Sequence, residues 1–558
     1  MGSKLEEQKP DPEKDDVSID GPAGVRAIQA ATSVWTKWHL MAAYGLIWLI
    51  YCIIAIQEAV VRSLTPYVTS VFQRHSLTAT TGIMSSLIGG LIQIPLAKIL
   101  DTWGRPQGLA LVLFFWVVGF IMMACCNNVE TYAAAQVFSD VGSSGVSYTL
   151  TVFVSDTSSL RNRALMLSFA TSPYIALTWA GGPISQSALK NLSWRWGFGI
   201  FAIVIPVVVL PLCALLWWNQ RKARKAGLDT GKVTDLSWKS IKQYCISVDL
   251  LGIIILAGGM ALLLLPFSIY SYQGDGWRSP IIYLMITFGG LLLITFVLYE
   301  RYLAPSTFIP YNLLLDRTVF SAGIMFVFYF FNGSVWGSYF GSMLQVVWNV
   351  NVENTSYITS IRRVAQCLWG IAVGYFIHRT GRFKWVALVM GIPLQMLANG
   401  LMIHLRTSAS DVGLVAMAQI FAGFAGAATV LTGELAMMTP SGHQHIAVII
   451  ATLNLFCSIG SAAGGTVAAA IWTGVFPERL ARYLPDGTDA AAIYADLNTQ
   501  LSYPVGSPER LAIDHSYADA QRLMLAASLG LCGGGLICVL LWRNLKVTNY
   551  KQTKGRVA

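Results

Sequence analysis

Apolar runs of about twenty residues, separated by short polar turns, recur from near His39 to near Leu541, and they leave few folds open to this chain. A run of that length makes a helix that crosses the hydrocarbon core of a bilayer. Lipid admits only backbones whose polar groups are satisfied internally. Charged residues make up 12% of the chain, about half of what a soluble surface carries. Fourteen such runs can be marked, so the expected fold is an all-α membrane protein with fourteen transmembrane helices.

The first 37 residues are polar and hold Lys4, Lys9 and Lys14 with a run of acids. They lack the apolar core and small-residue cleavage site of a signal peptide. Glu6 stands where a myristoylation signal needs Ser or Thr. The segment reads as a disordered tail. The net charge of +10 does not point to nucleic acid, because the basic residues follow topology. Their densest group, Arg221, Lys222, Arg224, Lys225, Lys232, Lys239 and Lys242, fills one connection. The positive-inside rule then puts both termini in the cytoplasm. On that topology the sequons Asn191-Leu-Ser and Asn354-Thr-Ser lie outside, as candidate glycosylation sites. Most of the nine cysteines fall in apolar runs, without the spacing of a disulfide framework.

A repeat organises the chain. Ala135-Gln136-Val137-Phe138, followed by Gly142-Ser-Ser-Gly145, is echoed by Ala418-Gln419-Ile420-Phe421 and the small run from Gly423 to Ala427. Asp101-Thr-Trp-Gly104-Arg105 is echoed by His378-Arg-Thr-Gly381-Arg382. The expected organisation is a tail over 1–38, a six-helix bundle over 39–218, and a basic linker over 219–249. Two extra helices over 250–300, a second bundle over 301–542 with an exterior loop at 472–517, and a tail over 543–558 complete it. Parallel repeats of this kind place a substrate site between the halves, near mid-membrane.

The Asp101-x-x-Gly104-Arg105 loop and its echo at Gly381-Arg382 resemble the loop signature of the major facilitator superfamily, with Ala97 where Gly is usual and Pro106 where a second basic residue is common. Within it the chain is similar to the fungal siderophore–iron transporters. The resemblance rests on Val154-Ser-Asp156 through Arg161-Asn-Arg163, Gly181-Gly-Pro183-Ile-Ser-Gln186, Trp194-Arg-Trp196-Gly-Phe198, Ser360-Ile-Arg362-Arg363 and Trp472-Thr-Gly-Val-Phe476-Pro. It implies proton-coupled import of ferric hydroxamates by alternating access, through a plasma or endosomal membrane of a fungus. It also implies a monomeric transporter that is no enzyme and needs no cofactor or metal ligands, since the chelate's own oxygens fill the iron shell. The cargo so implied is large, nearly neutral and amphiphilic. Exchangers of glutathione or drugs for protons share part of the pattern, including the Gly181-Gly-Pro183 break, and a ligand sensor is a further class.

Helical spacing gathers polar residues into stripes. One holds Tyr44, Trp48, Tyr51, Ala55, Glu58 and Arg62; a second holds Gln136, Asp140, Ser144, Ser147 and Thr151. A third holds Ser356, Thr359, Arg363, Gln366, Gly370 and Gly374, and a fourth Gln419, Gly423, Gly426 and Glu434. Polar groups at that depth face a bundle interior or water, so the stripes describe a central cavity; packing through small residues is the competing account. Asp140 and Glu434 are candidates for proton coupling, with Glu58 a third or an ion-pair partner of Arg62 one turn away. An ionised carboxyl there costs roughly 3 kcal/mol, which suits a group that loads and releases a proton. Arg363 lies on its stripe as a candidate for substrate or carboxylate contact, while Arg362 points about 100° away.

Candidate substrate contacts are Tyr44, Trp48, Tyr51, Gln136, Tyr174, Phe331, Tyr339, Arg363, Gln366 and Gln419. The resemblance assigns gating to Asp101, Gly104, Arg105 and their echo His378, Gly381 and Arg382, as a latch between the halves, with Asp156 and Arg161 in a neighbouring charge group. There is no nucleotide-binding loop. His443-Gln-His445 is a tight pair without a third ligand beside it. The exterior loop 472–517 is long for a connection and is expected to fold over the outer mouth.

Overall fold

The computed structural model describes residues 35–72, 78–158, 160–226, 242, 244–246, 249–270, 273, 275–304, 316–406, 410–439 and 446–546. The N-terminal tail up to residue 34, most of the basic linker, the His443–His445 pair, the C-terminal tail from residue 547 and the side chain of Arg161 lie outside the described residues.

Among the described residues the regular structure is helical, apart from one antiparallel bridge between Arg382 and Lys546. In the first half run α1 (Lys37–Val71), α2 (Thr78–Leu91), α3 (Gln93–Thr102), α4 (Arg105–Cys125) and α5 (Val129–Thr157). A broken passage follows: α6 (Leu160–Ala170), α7 (Pro173–Leu177), a tight turn over Thr178–Ala180, and α8 (Gly181–Asn191). Then comes α9 (Trp194–Lys225), and next the inserted pair α10 (Leu250–Leu264) and α11 (Pro280–Tyr302). The second half holds α12 (Arg317–Gly337), α13 (Phe340–Val347), α14 (Val352–Thr380), α15 (Ile392–Leu405), α16 (Val412–Met438) and α17 (Ile446–Tyr483). Two short helices, α18 (Ala490–Ala495) and α19 (Leu497–Ser502), lead to α20 (Pro508–Leu541).

Among the described residues, ten helical stretches are long and apolar enough to cross a membrane, with α2 and α3 counted as one, α12 and α13 as one, and α15 extended back to Lys384. The apolar-run count of fourteen adds α5 and α14, which have 29 residues each but carry many polar ones, the interrupted α6–α8, and α10 with 15 residues.

Local chemistry sets the ends. Thr36 opens α1 with a capping box, its side chain and that of His39 each bonding the other's backbone N–H. Asn128, Asn351 and Asp411 cap α5, α14 and α16 through side-chain oxygens. Gly104, at φ 109°, makes the turn into α4, a backbone geometry that disfavours any other residue. Gly381 closes α14 in the left-handed conformation.

The halves meet along two seams. Helix α2 packs on α17, and α14 packs on α6, α7 and α8. By the sequence repeat, α2 corresponds to α14 and the α6–α8 passage to α17, so the two seams are one contact type used twice. The inserted pair packs together, and α10 leans on α2 and α17 beside the first seam. Helix α11 exposes Ile281, Leu284, Phe288, Leu291, Ile294 and Leu298, the surface of a helix that faces lipid.

The stretch expected as an exterior loop over 472–517 is largely helical. Helix α17 continues through Trp472, Phe476 and Leu480 to Tyr483, and α20 begins at Pro508. The one-turn spacing of those three residues keeps them on one face, where they are fully buried against Tyr339, Ile493 and Tyr517. The connection that remains, 484–507, is held by Arg510. Its guanidinium donates to the carbonyls of Val346 at 2.6 Å and Gln500 at 2.7 Å.

Candidate functional site

A cavity of about 680 Å³ lies between the halves, lined by α1, α2 and α5 from one side and by α12, α13, α14, α16 and α17 from the other. Its wall is rich in hydroxyls and amides: Ser85, Ser86, Ser143, Ser144, Ser334, Ser338, Ser342, Ser458 and Ser461, with Gln57, Gln136, Gln345, Gln366 and Gln419. Tyr329, Phe330, Trp336 and Phe340 are its aromatic part.

Five charged side chains line it: Glu58, Arg62, Asp140, Arg362 and Arg363. Glu58 and Arg363 join the halves. Arg363 Nη2 donates to Glu58 Oε2 at 2.5 Å, and Tyr174 Oη donates to Glu58 Oε1 at 3.0 Å. The guanidinium also stacks over the Tyr174 ring, 4.3 Å from its centroid. Both charged side chains keep about a third of their surface open, 32% and 39%, so the pair opens onto the cavity. Helix α1 delivers Glu58, α7 delivers Tyr174 and α14 delivers Arg363, so the cluster forms only when the α14 seam closes.

The other acids differ. Asp140, on α5, faces the cavity beside Ser85 of α2. Glu434, on α16, stands outside the cavity lining, near Tyr51 and Cys457. Among the described residues, no Lys or Arg pairs with either. Glu58 pairs with Arg363 and not with Arg62, the other alternative left open for it, because Tyr174 holds both groups together, its ring under the Arg363 guanidinium and its hydroxyl on the Glu58 carboxylate. Arg362 lines the cavity rather than turning away, with its guanidinium 5.6 Å from the Trp336 ring centroid. The reason is that the cavity wraps more than one face of α14, which is wedged between the halves.

Gln136, Gln366 and Gln419 line the cavity, and Tyr174 touches its ion pair. Tyr51 is buried within electrostatic reach of Glu58, Glu434 and Arg363. Four expected contacts lie elsewhere. Tyr44 Oη shares a 2.9 Å hydrogen bond with Thr157 Oγ1 near the end of α5. Trp48 Nε1 donates to Ser172 Oγ at 3.0 Å, with the ring partly exposed. Phe331 sits in an apolar groove with Leu263, Leu264 and Phe267 of the inserted segment. Tyr339 is fully buried and stacks on Trp472 at 4.1 Å. Aromatic rings satisfy packing as readily as ligand contact, so sequence spacing alone could not separate these uses. The serines of α2 and α17 were missed for a related reason: they lie in runs whose apolar character hid a polar face.

At one end of the bundle Arg105 donates to Asp101 Oδ1 at 2.9 Å and to Asp156 Oδ2 at 3.0 Å, all three side chains buried or nearly so. The sequence reading had this loop latching the two halves. The structure closes its charges within the first half instead, tying α3 and α4 to the end of α5. In the echo, Arg382 bridges to Lys546, and Lys384 Nζ donates to the carbonyls of Leu540 at 2.8 Å and Trp542 at 2.5 Å, so this turn holds the end of α20. His378 takes the place of the acid. At this same end the halves touch where the Arg163 guanidinium meets Met438 Sδ at 4.0 Å. At the other end Tyr67 Oη donates to Gln345 Oε1 at 2.5 Å, and Leu497 N donates to Ser70 Oγ at 3.3 Å. Asn191 and Asn354 are both exposed.

A family profile described as the Major Facilitator Superfamily matches residues 47–304. Over its whole length the chain is 50% identical to the MFS siderochrome iron transporter 1 of Ajellomyces capsulatus, 95% of which it covers. Over 96% of its length it is 41% identical to the siderophore iron transporter mirB of Emericella nidulans, 89% of which it covers. Among solved structures, a bacterial homologue of the lysosomal transporter Spinster, inward-facing and occupied, matches with a TM-score of 0.55 at 15% identity. That match covers 91% of this chain and 97% of the other.

Proposed function

The chain belongs to the major facilitator superfamily and, within it, to the fungal siderochrome iron transporters, and from that premise we propose that it imports ferric hydroxamate siderophores by alternating access, driven by protons. The observation that carries the reading is the polar cavity between two repeated halves, bridged at its wall by Glu58 and Arg363. A hydroxamate chelate presents carbonyl and amide groups, and the serine and glutamine wall offers them donors and acceptors.

Transport needs the halves to part at one end while they stay closed at the other. The Tyr67–Gln345 bond and the Arg163–Met438 contact are candidates for those two closures. Asp140 and Glu434 are proposed to carry the proton. Charging them costs desolvation that no neighbouring cation repays, whereas Glu58 has Arg363 as its counter-ion. Glu58 then acts by exchanging Arg363 for a proton during the cycle. The fourteen-span arrangement, with both termini cytoplasmic and Asn191 and Asn354 outside, completes the proposal, supported by the basic connection after α9.

The test is uptake of a radioiron-labelled ferric trihydroxamate by cells lacking other iron-chelate systems. Accumulation that an uncoupler abolishes is expected; binding without accumulation overturns the transport reading. Asp140→Asn and Glu434→Gln are expected to flatten the dependence of uptake on external pH, and a variant that keeps the normal profile removes its residue from the proton path.

A further inference from the structure

The charges of the cavity do not balance. Three arginines and two acids line it, and Glu58 is spent on Arg363. Among the described residues, neither Arg62 nor Arg362 has a carboxylate within ion-pair distance. Arg62 is exposed although it lies well within α1, so its open surface is the cavity's. It lies within electrostatic reach of Glu58 as well as of Arg363 and Arg362, so three guanidinium groups share one region with a single carboxylate that Arg363 already holds. Asp140 can cancel one of the two free charges when ionised and neither when protonated. The cavity is therefore cationic in both states.

Unpaired guanidinium groups at membrane depth are costly, and they persist where a cavity or ligand serves them. Their planar forks match a carboxylate through two parallel hydrogen bonds, stronger than those to a neutral acceptor. A neutral chelate would use the hydroxyl and amide wall but leave the excess positive charge unanswered.

We propose that Arg62 and Arg362 form an anion subsite, and that the preferred cargo is a ferric trihydroxamate carrying a free carboxylate. In such a chelate the three hydroxamates neutralise the ferric ion, so the side carboxylate leaves one net negative charge. Arg362 holds it from α14 and Arg62 from α1, so the bound anion bridges the two halves beside the Glu58–Arg363 pair. It offsets the repulsion among the three guanidinium groups, and this makes the loaded, closed cavity more stable than the empty one.

The inference rests on the transport reading, and the experiment separates the two. Radioiron uptake is measured for one ferric trihydroxamate as the free acid and as its methyl ester, and the acid-to-ester ratio is independent of how much transporter reaches the membrane. The expected result is a ratio well above one for the unaltered chain. Arg62→Gln and Arg362→Gln are each expected to lower the ratio about tenfold, as the loss of one charge-assisted contact does, and Arg62→Lys to restore part of it. Equal uptake of acid and ester, or a ratio unchanged in both Gln variants, overturns the anion subsite and leaves transport standing. No uptake of either form by the unaltered chain overturns both.

Discussion

Glu58 and Arg363 are 305 positions apart in sequence, yet their side chains meet across the cavity. A charge left alone there loses its counter-ion without regaining full hydration, which is why removing one partner of such a pair costs more than removing both. Glu58→Gln and Arg363→Gln are each expected to lower uptake by about tenfold or more, and the double variant to lose less than the product of the two. A double-mutant cycle on uptake, normalised to surface amount, measures the coupling. Independent, multiplicative losses would mean that the pair does not act as a unit. The same cycle distinguishes Glu58 from Asp140 and Glu434, which have no paired arginine to uncover.

Between elements, the decisive contacts are made by glycines. The run Gly142-Ser-Ser-Gly145 was open to two accounts, a cavity face and a packing face, and it serves as both. Ser143 and Ser144 line the cavity, while Gly142 and Gly145 press α5 onto α4. A methyl group on Gly142 would come within 2.3 Å of the Trp116 backbone, where nothing can yield. Gly142→Ala is therefore expected to destabilise the protein by at least about 1–3 kcal/mol through overpacking, read as a lower thermal midpoint in detergent. Gly400→Ala meets open space and is expected to be neutral or to gain about 0.5–1 kcal/mol as a helical substitution. Equal midpoints for the two variants would refute the close α4–α5 approach.

Across the whole molecule, the two seams and the two ends define what can move. The seams repeat one contact type, α2 with α17 and α6–α8 with α14, so the proposed alternating access would turn one half against the other about an axis between them. The end carrying Tyr67 and Gln345 is bonded shut, and the cavity reaches that bond. If opening there admits cargo, a bis-methanethiosulfonate cross-link between Tyr67→Cys and Gln345→Cys in a Cys125→Ser background, its spacer replacing the length of the two lost side chains, is expected to stop uptake, and a reductant to restore it. Cys125 is removed because it is the one exposed native thiol among the described residues. Undiminished uptake with the cross-link formed would mean that this mouth does not open during transport.

The sequence by itself determined the helical membrane class, the two-half repeat, and the polar faces of α1, α5, α14 and α16 that became part of the cavity wall. It could do so because lipid forbids unpaired backbone and penalises buried charge so strongly that periodicity alone reveals which face is wet. Tertiary structure decided which partner each charge takes. Arg363 rather than Arg62 holds Glu58, and Arg105 closes on two acids of its own half, because these are choices among groups far apart in the chain. It also decided which aromatic rings are core, since Tyr339 and Phe331 differ from the rings that line the cavity only in their neighbours. The extension of α17 through the expected loop belongs here as well. Burial of Trp472, Phe476 and Leu480 against Tyr517 supplies the energy that keeps those residues helical, and that partner lies on another helix.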